Sequence, residues 1–145
     1  HDVSEQTVID YGCGSGILGI AALLLGAKSV IAVDNDPQAL IATQENARRN
    51  GIPANKISTY LPEQVPTGSA AELMLANILA GPLAELAPAL SEMTHIGGNI
   101  VLSGILSNQA QQLSRFYQPQ FDMQAAVIDQ DWARLTGTRL APASE

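Results

Sequence analysis

The chain contains 145 residues, of which 46% are hydrophobic and only 14% carry a charge. This length fits a single domain of typical size, and the composition excludes an intrinsically disordered chain, which needs low hydrophobicity and high charge. Fourteen acidic and seven basic residues give a formal net charge of −7. Such a surface repels phosphate backbones, so we expect no direct nucleic-acid binding, whereas a basic protein is a suitable partner.

In chain order, the predicted elements are strand 7–11, helix 17–25, strand 29–34, helix 36–50, strand 56–61, strand 72–76, a helix from Asn77 to Gly97, strand 99–103, helix 108–118, and strands 121–128 and 132–140. Hydrophobic periodicity and the positions of glycine and proline define these elements. Strands that alternate with helices predict a parallel sheet covered by helices on both faces. The last two strands predict an antiparallel hairpin. We therefore expect one α/β domain over residues 1–145, with a seven-stranded sheet.

Several features bear on the compartment of the protein. The lone cysteine, Cys13, cannot form an internal disulfide, so nothing indicates an oxidising compartment. The longest apolar run, residues 17–25, is about half as long as a bilayer-spanning helix, and no signal-peptide pattern opens the chain. We expect a cytoplasmic protein without a membrane partner. The first strand begins after only six residues, and we interpret the sequence as part of a longer protein.

A glycine-rich segment follows the first predicted strand and precedes the first helix. Residues 10–16 read Asp-Tyr-Gly-Cys-Gly-Ser-Gly. Glycines at a strand-to-helix turn let a ligand approach the backbone, and ligands of open α/β sheets bind where such turns lie. Asp34 ends the second strand, 18 residues after Gly16, where a carboxylate can accept hydrogen bonds from ribose hydroxyls. The alternatives are a turn without a ligand, and an Asp34 that only assists Asp36 in capping the next helix.

The spacing of the glycines separates two classes of cofactor. A nicotinamide dinucleotide site needs G-x-G-x-x-G, whereas this chain has D-x-G-x-G-x-G. The pattern resembles motif one of the Rossmann-like S-adenosylmethionine methyltransferases. That resemblance implies S-adenosyl-L-methionine as the cofactor, and the sheet of those enzymes also ends in an antiparallel hairpin. A nicotinamide oxidoreductase is a weaker alternative.

Asn77 directly follows the fourth predicted strand. In amine methyltransferases, an asparagine at this point places its side-chain carbonyl beside the methyl donor. A nitrogen nucleophile must present its lone pair in line with the reacting carbon, and carbonyl acceptors can hold the hydrogens of the amine while its proton is lost. The alternative is that Asn77 caps the helix that follows.

A closer resemblance covers nearly the whole chain. Four segments resemble, in the same order, the family that methylates ribosomal protein L11 (PrmA): residues 8–18 (VIDYGCGSGIL), 76–83 (ANILAGPL), 102–106 (LSGIL) and 132–139 (WARLTGTR). The resemblance implies N-methylation of lysines and of an N-terminal amine on a ribosomal protein. The family has an upstream substrate-recognition domain and a Gly-Thr-His-x-Thr-Thr stretch that helps to bind the cofactor, and neither is present in this sequence. The chain is therefore interpreted as the catalytic domain alone.

The resemblance also implies roles for individual residues. Gly12 would lie under the methionine part of the cofactor, Asp34 would hold the ribose hydroxyls, and Asn77 would face the transferred methyl group. Asp10 and Gly14 would support the cofactor loop. The alternatives are a methyltransferase for another amine or small molecule, and a cofactor-binding module that is inactive without its partner domain.

Other chemically capable side chains point to no further site. Cys13, His95 and the terminal His1 have no metal-ligand spacing, so we predict no metal. Cys13 is interpreted as a small buried side chain and His95 as a solvent-facing residue at a helix end. Ser103 has no predictable histidine partner for a hydrolase triad. Trp132 either packs on a late strand, which is the favoured interpretation, or lines the mouth of the substrate site.

Overall fold

The computed structural model describes residues 2–142. Its elements are β1 (Thr7–Tyr11), α1 (Ile17–Leu24), β2 (Ser29–Val33), α2 (Pro37–Arg49), β3 (Ile57–Tyr60), β4 (Ala71–Asn77), α3 (Ala80–Glu92), β5 (Thr94–Leu106), α4 (Ala110–Tyr117), β6 (Phe121–Met123), β7 (Val127–Asp129) and β8 (Trp132–Arg139). Short 3₁₀ turns lie at Ala54–Lys56, Pro62–Gln64 and Ser107–Gln109. The predicted order of strands and helices is confirmed from β1 to α4.

The strands form one mixed sheet in the order β3-β2-β1-β4-β5-β8-β6, and β7 pairs with another part of β8. Strands β1 to β5 are parallel, whereas β8 runs antiparallel to β5, β6 and β7. The α/β class and the antiparallel end of the sheet are therefore confirmed. The strand order reverses between β1 and β4, and this reversal opens a crevice beyond the carboxyl ends of these two strands.

Helices cover both faces of the sheet. Consecutive residues of the central strands point to opposite faces, so neighbouring side chains pack against different helices. Val8 is fully buried in the cluster that includes residues of α1 and α2, and Ile9 is fully buried in the cluster that includes residues of α3 and α4. Burying an apolar side chain of this size contributes about 1.5 to 3 kcal/mol. Two such layers hold the strand ends, and the loops that follow them, in fixed positions.

The predicted strand 121–128 is wrong as a continuous strand, so the sheet within residues 2–142 has eight strands instead of seven. Between the pairs Met123↔Gly137 and Val127↔Arg134, three residues (124–126) separate β6 from β7, whereas only two (135–136) lie on β8. An extra residue on one strand is a β-bulge, which interrupts the ladder and bends the strand. The bulge divides the predicted strand into β6 and β7.

The fifth strand is longer than predicted, and the preceding helix is shorter. Helix α3 ends at Glu92, and β5 begins at Thr94, so Gly97 and Gly98 belong to the strand. The pairing of β4 with β5 shifts register between Ala71 and Leu73, where the glycines allow an irregular backbone. His95 is exposed, as predicted, but on β5.

No helix within residues 2–142 is both long enough and apolar enough to cross a membrane.

Candidate active site

A cleft of about 500 Å³ lies at the crevice between β1 and β4. Gly12, Asp34 and Asn77, which were predicted from three separate parts of the sequence, all line it. Asp10 and Gly14 do not line the cleft. Their predicted contribution to cofactor binding would therefore act through the loop that they support.

The glycine-rich loop runs from β1 to α1 in a conformation that only glycine adopts readily. Gly12, Gly14 and Gly16 have φ angles of +79°, +56° and +85°, in the left-handed region that side chains disfavour. The amide of Gly12 donates to the carbonyl of Val33 at 2.7 Å, which ties the loop to β2. A Cβ atom at Gly12 would lie 2.7 Å from Cγ1 of Ile78. The loop therefore packs closely against the segment that follows β4.

Asp34 joins the loop to the start of α2. Its Oδ2 accepts a hydrogen bond from the amide of Gly14 at 3.0 Å, and its Oδ1 accepts one from the amide of Asp36 at 2.9 Å. Asp36 itself caps α2 by accepting from the amide of Gln38. Asp34 thus supports the cap and also lines the cleft, so its role at the helix does not exclude a contact with a ligand. Each carboxylate oxygen can accept a further hydrogen bond.

Asp10 lies beneath the loop with 1% of its surface exposed. Its Oδ2 accepts from the amide of Gly19 at 3.1 Å, whereas its Oδ1 has no hydrogen-bond partner among the described residues. Burial raises the pKa of this carboxyl to about 6, because the loss of water disfavours the charge, and the nearby Asp34 acts in the same direction. The Gly19 hydrogen bond opposes the rise.

Because of this raised pKa, we expect Asp10→Asn to change the pH dependence of stability. Between about pH 4 and pH 6, the folded chain keeps a proton on Asp10 that the unfolded chain has lost, so this group destabilises the fold as the pH rises. Asparagine retains an acceptor for Gly19 and does not titrate. The unfolding free energy of the variant relative to wild type should rise by up to about 3 kcal/mol from pH 4 to pH 7.5. Urea unfolding at both pH values measures this, and parallel pH profiles would contradict it.

Two residues of α2 that the sequence analysis missed hold the loop from behind. Oγ1 of Thr43 donates to the carbonyl of Gly14 at 3.1 Å, and Nδ2 of Asn46 donates to the carbonyl of Ser15 at 2.9 Å. Thr43 is fully buried. A polar residue on the otherwise apolar face of α2, three residues before Asn46, was the signal available in the sequence. Both side chains fix the loop backbone that would carry the cofactor.

We expect Thr43→Val to weaken cofactor binding by about five- to tenfold, since it removes one hydrogen bond to the loop while keeping the shape of the side chain. Thr94→Val is the matched control. Thr94 is also buried and donates to a backbone carbonyl, that of Leu90, at 2.8 Å, but it lies at the start of β5, away from the cleft. Both variants should lose stability, and only Thr43→Val should lose affinity in a calorimetric titration. If Thr43→Val and Thr94→Val bind the cofactor with equal affinity, the hydrogen bond from α2 to the loop does not contribute to binding.

Cys13 lies within the glycine-rich loop and is buried, as predicted, with its Sγ 3.4 Å from Oγ1 of Thr43. Burial raises the pKa of its thiol. A raised pKa keeps the thiol protonated, which makes it a weak nucleophile.

Asn77 is the last residue of β4, and its side chain is exposed toward the cleft. The N-cap residue of α3 is Leu79, which has no side-chain capping bond. The interpretation of Asn77 as a helix cap is therefore wrong, because β4 continues to this residue and α3 starts later. Within the described part of the chain, the Asn77 amide thus remains available to a ligand.

Trp132 begins β8 opposite Leu106, at the same end of the sheet as Asn77. Its side chain is 55% exposed, so the favoured prediction of a packed aromatic is wrong. Trp132 does not line the cleft itself.

The charges of the cleft favour a cationic ligand. Asp34 and Glu85 line it, and no lysine or arginine of the described residues does. A pyrophosphate would meet unfavourable electrostatics there, whereas a sulfonium ion or an amine would be attracted. Residues 2–142 also contain no group of three or more side chains arranged to hold a metal ion.

The parallel strands, the antiparallel β8 and a cleft at the point where the strand order reverses define a Rossmann-like α/β domain of the kind found in S-adenosylmethionine methyltransferases. The structure of the ribosomal protein L11 methylase from Lactobacillus delbrueckii subsp. bulgaricus superposes with a TM-score of 0.85 and 35% identity, over 96% of this chain and 72% of that chain. An RNA methyltransferase from Salinibacter ruber in complex with S-adenosyl-L-homocysteine superposes with a TM-score of 0.77 and 19% identity, over 99% and 88% of the two chains. This second likeness concerns the fold alone.

The sequence model of the ribosomal protein L11 methyltransferase (PrmA) family matches residues 2–140. The ribosomal protein L11 methyltransferase of Cellvibrio japonicus is 58% identical over 96% of this chain and 47% of the relative. The ribosomal protein L11 methyltransferase of Marinobacter nauticus is 56% identical over 96% of this chain and 46% of the relative. The chain belongs to the PrmA family, which is a family of S-adenosyl-L-methionine-dependent methyltransferases. It spans about half the length of the curated relatives that it matches.

Proposed function

We propose that this chain is the catalytic domain of an S-adenosyl-L-methionine-dependent N-methyltransferase that modifies lysine and N-terminal amines of a ribosomal protein. The observation that carries the proposal is a single acidic cleft lined by both Asp34, a carboxylate suited to ribose hydroxyls, and Asn77, an amide suited to an amine. The names of the relatives, ribosomal protein L11 methyltransferase, support this acceptor. The net charge of −7 also suits a basic protein partner.

The residues of the cleft fit this cofactor chemically. S-adenosyl-L-methionine supplies, when bound, a methyl group on a positively charged sulfur that is a good leaving group. Both oxygens of Asp34 retain capacity to accept hydrogen bonds from a ribose. Gly12 presents backbone without a side chain to the cleft, so a ligand can approach it closely. Asp10, through Gly19, and Gly14, through Asp34, would help to keep this loop in its conformation.

In this mechanism, Asn77 orients the acceptor amine. A lysine amine has a pKa of ~10.4 and must lose a proton before it can attack. The side-chain carbonyl of Asn77 would accept a hydrogen bond from the amine and direct the lone pair toward the methyl carbon. The cleft walls would exclude competing water. The chain therefore contributes alignment more than acid–base chemistry.

The proposal extends to the setting of the enzyme. We place the protein in the cytoplasm, where ribosomal proteins are made, with no membrane or direct nucleic-acid partner. Since the relatives are about twice as long, we assign recognition of the ribosomal protein to a part of the enzyme outside residues 1–145.

Calorimetric titration tests the cofactor class first. S-adenosyl-L-methionine and S-adenosyl-L-homocysteine should bind to this chain, and NADH, the control, should not. Transfer of labelled methyl groups by the full-length protein should then favour ribosomal proteins over small amines. Binding of NADH alone would refute the methyltransferase, and a preference for small amines would refute the ribosomal acceptor.

A further inference from the structure

The segment that follows β4 crosses directly over a glycine of β5. Asn77 pairs with Ser103 in the β4–β5 ladder, and Gly104 is the next residue of β5. A Cβ atom built on Gly104 would lie 2.6 Å from Oδ1 of Asn77, and 3.2 Å from the carbonyl oxygen of Ile78. A side chain at position 104 would therefore compete for the space that the Asn77 amide occupies.

The backbone of β5 is irregular at this point. The pairing of β5 with β8 shifts register between Leu102 and Ile105, and Gly104 has a φ angle of +79°. Bulges of this kind bend a strand and redirect neighbouring side chains, and they are frequent beside active sites. The bulge brings the β5 backbone under Asn77 without a side chain in between.

A second glycine, Gly12, directly follows β1 and approaches the same segment from the side of β4 that faces away from β5. A Cβ atom at Gly12 would lie 2.7 Å from Cγ1 of Ile78 and 3.5 Å from the backbone carbonyl of Asn77. The segment 77–78 thus lies between Gly12 and Gly104, which leave it little room to shift. Gly12 belongs to the glycine loop, whereas the three atoms nearest to a Cβ at Gly104 all belong to Asn77 and Ile78.

We propose that Gly104 is a positioning residue for methyl transfer, because its missing side chain lets the Asn77 amide lie against β5 and face the acceptor amine. This inference rests on the proposed function. An alanine at position 104 would need to displace Oδ1 of Asn77 by close to an ångström to reach an ordinary contact distance. Misplacement on that scale can lower the rate of an aligned reaction by ~100-fold.

Gly104→Ala and Gly97→Ala form a matched pair. Both glycines lie in β5 with nearly equal φ angles, +79° and +81°, but a Cβ atom at Gly97 meets nothing within 4 Å. Both substitutions therefore strain the backbone to a similar extent, and only Gly104→Ala also brings a Cβ atom too close to Oδ1 of Asn77. In the full-length protein, Gly104→Ala should lower kcat by ~10- to 100-fold with little change in the Kd for S-adenosyl-L-methionine. Gly97→Ala should retain both values.

A double-variant cycle shows whether the effect passes through Asn77. If it does, Gly104→Ala should lower kcat little in a protein that already carries Asn77→Ala. In that background, Gly104→Ala should also lower the melting temperature less than it does in the wild-type protein. Independent, multiplicative losses would overturn the inference, as would equal kcat for the two glycine variants. An inactive wild type that binds cofactor would instead refute the proposed function, and with it the positioning role of Gly104.

Discussion

Asn77→Ala is expected to lower the rate of methyl transfer by ~100-fold or more while leaving the affinity for S-adenosyl-L-methionine nearly unchanged. The amide lies at the end of β4 beside the cleft and does not cap α3. Its loss removes the acceptor that would align the amine, and alignment of this kind accounts for a large part of the barrier in a displacement reaction. Single-turnover methyl transfer and calorimetric titration measure the two quantities separately.

Asn108→Ala is the control for this prediction. Asn108 is also an exposed asparagine, and it lies in the 3₁₀ turn that follows β5, outside the cleft. We expect this variant to keep both the transfer rate and the affinity. If Asn77→Ala instead loses rate and affinity by the same factor, Asn77 binds the cofactor and does not orient the acceptor.

The parts of the site that the sequence predicted depend on local patterns. The D-x-G-x-G-x-G spacing defines a turn between a strand and a helix, and Asp34 and Asn77 each follow an apolar strand. Parallel strands bring their carboxyl ends to the same edge of a sheet, so three residues far apart in the chain could be expected to meet in one cleft. The structure places Gly12, Asp34 and Asn77 there.

The features that were missed depend on contacts between distant parts of the chain. The bulge that divides β6 from β7 exists only in the pairing with β8, and no local pattern encodes that register. The hydrogen bonds from Thr43 and Asn46 to the glycine loop span about 30 residues. A mostly apolar helix face can therefore contain a polar side chain whose hydrogen-bond partner is recognised only in the folded structure.

Asp34→Ala is expected to weaken binding of S-adenosyl-L-methionine by about 1.5 to 3 kcal/mol, the usual scale for a hydrogen bond to a charged group. The loss has two sources. The variant removes the acceptor proposed for the ribose hydroxyls, and it also releases the amides of Gly14 and Asp36, which the carboxylate holds at 3.0 Å and 2.9 Å. The glycine loop would then be less ordered before the cofactor arrives. Calorimetric titration of the variant and of wild type gives the difference in binding free energy.

Asp36→Ala separates binding from capping. Asp36 caps α2 through the amide of Gln38, so its removal should cost about 1 kcal/mol of stability with little effect on cofactor affinity. Asp34→Asn keeps the size of the side chain but turns one acceptor into a donor, which would face a backbone amide, so its affinity should fall between those of wild type and Asp34→Ala. If Asp34→Ala binds as wild type does and loses only the stability that Asp36→Ala loses, Asp34 serves the helix cap and the ribose-binding role is wrong.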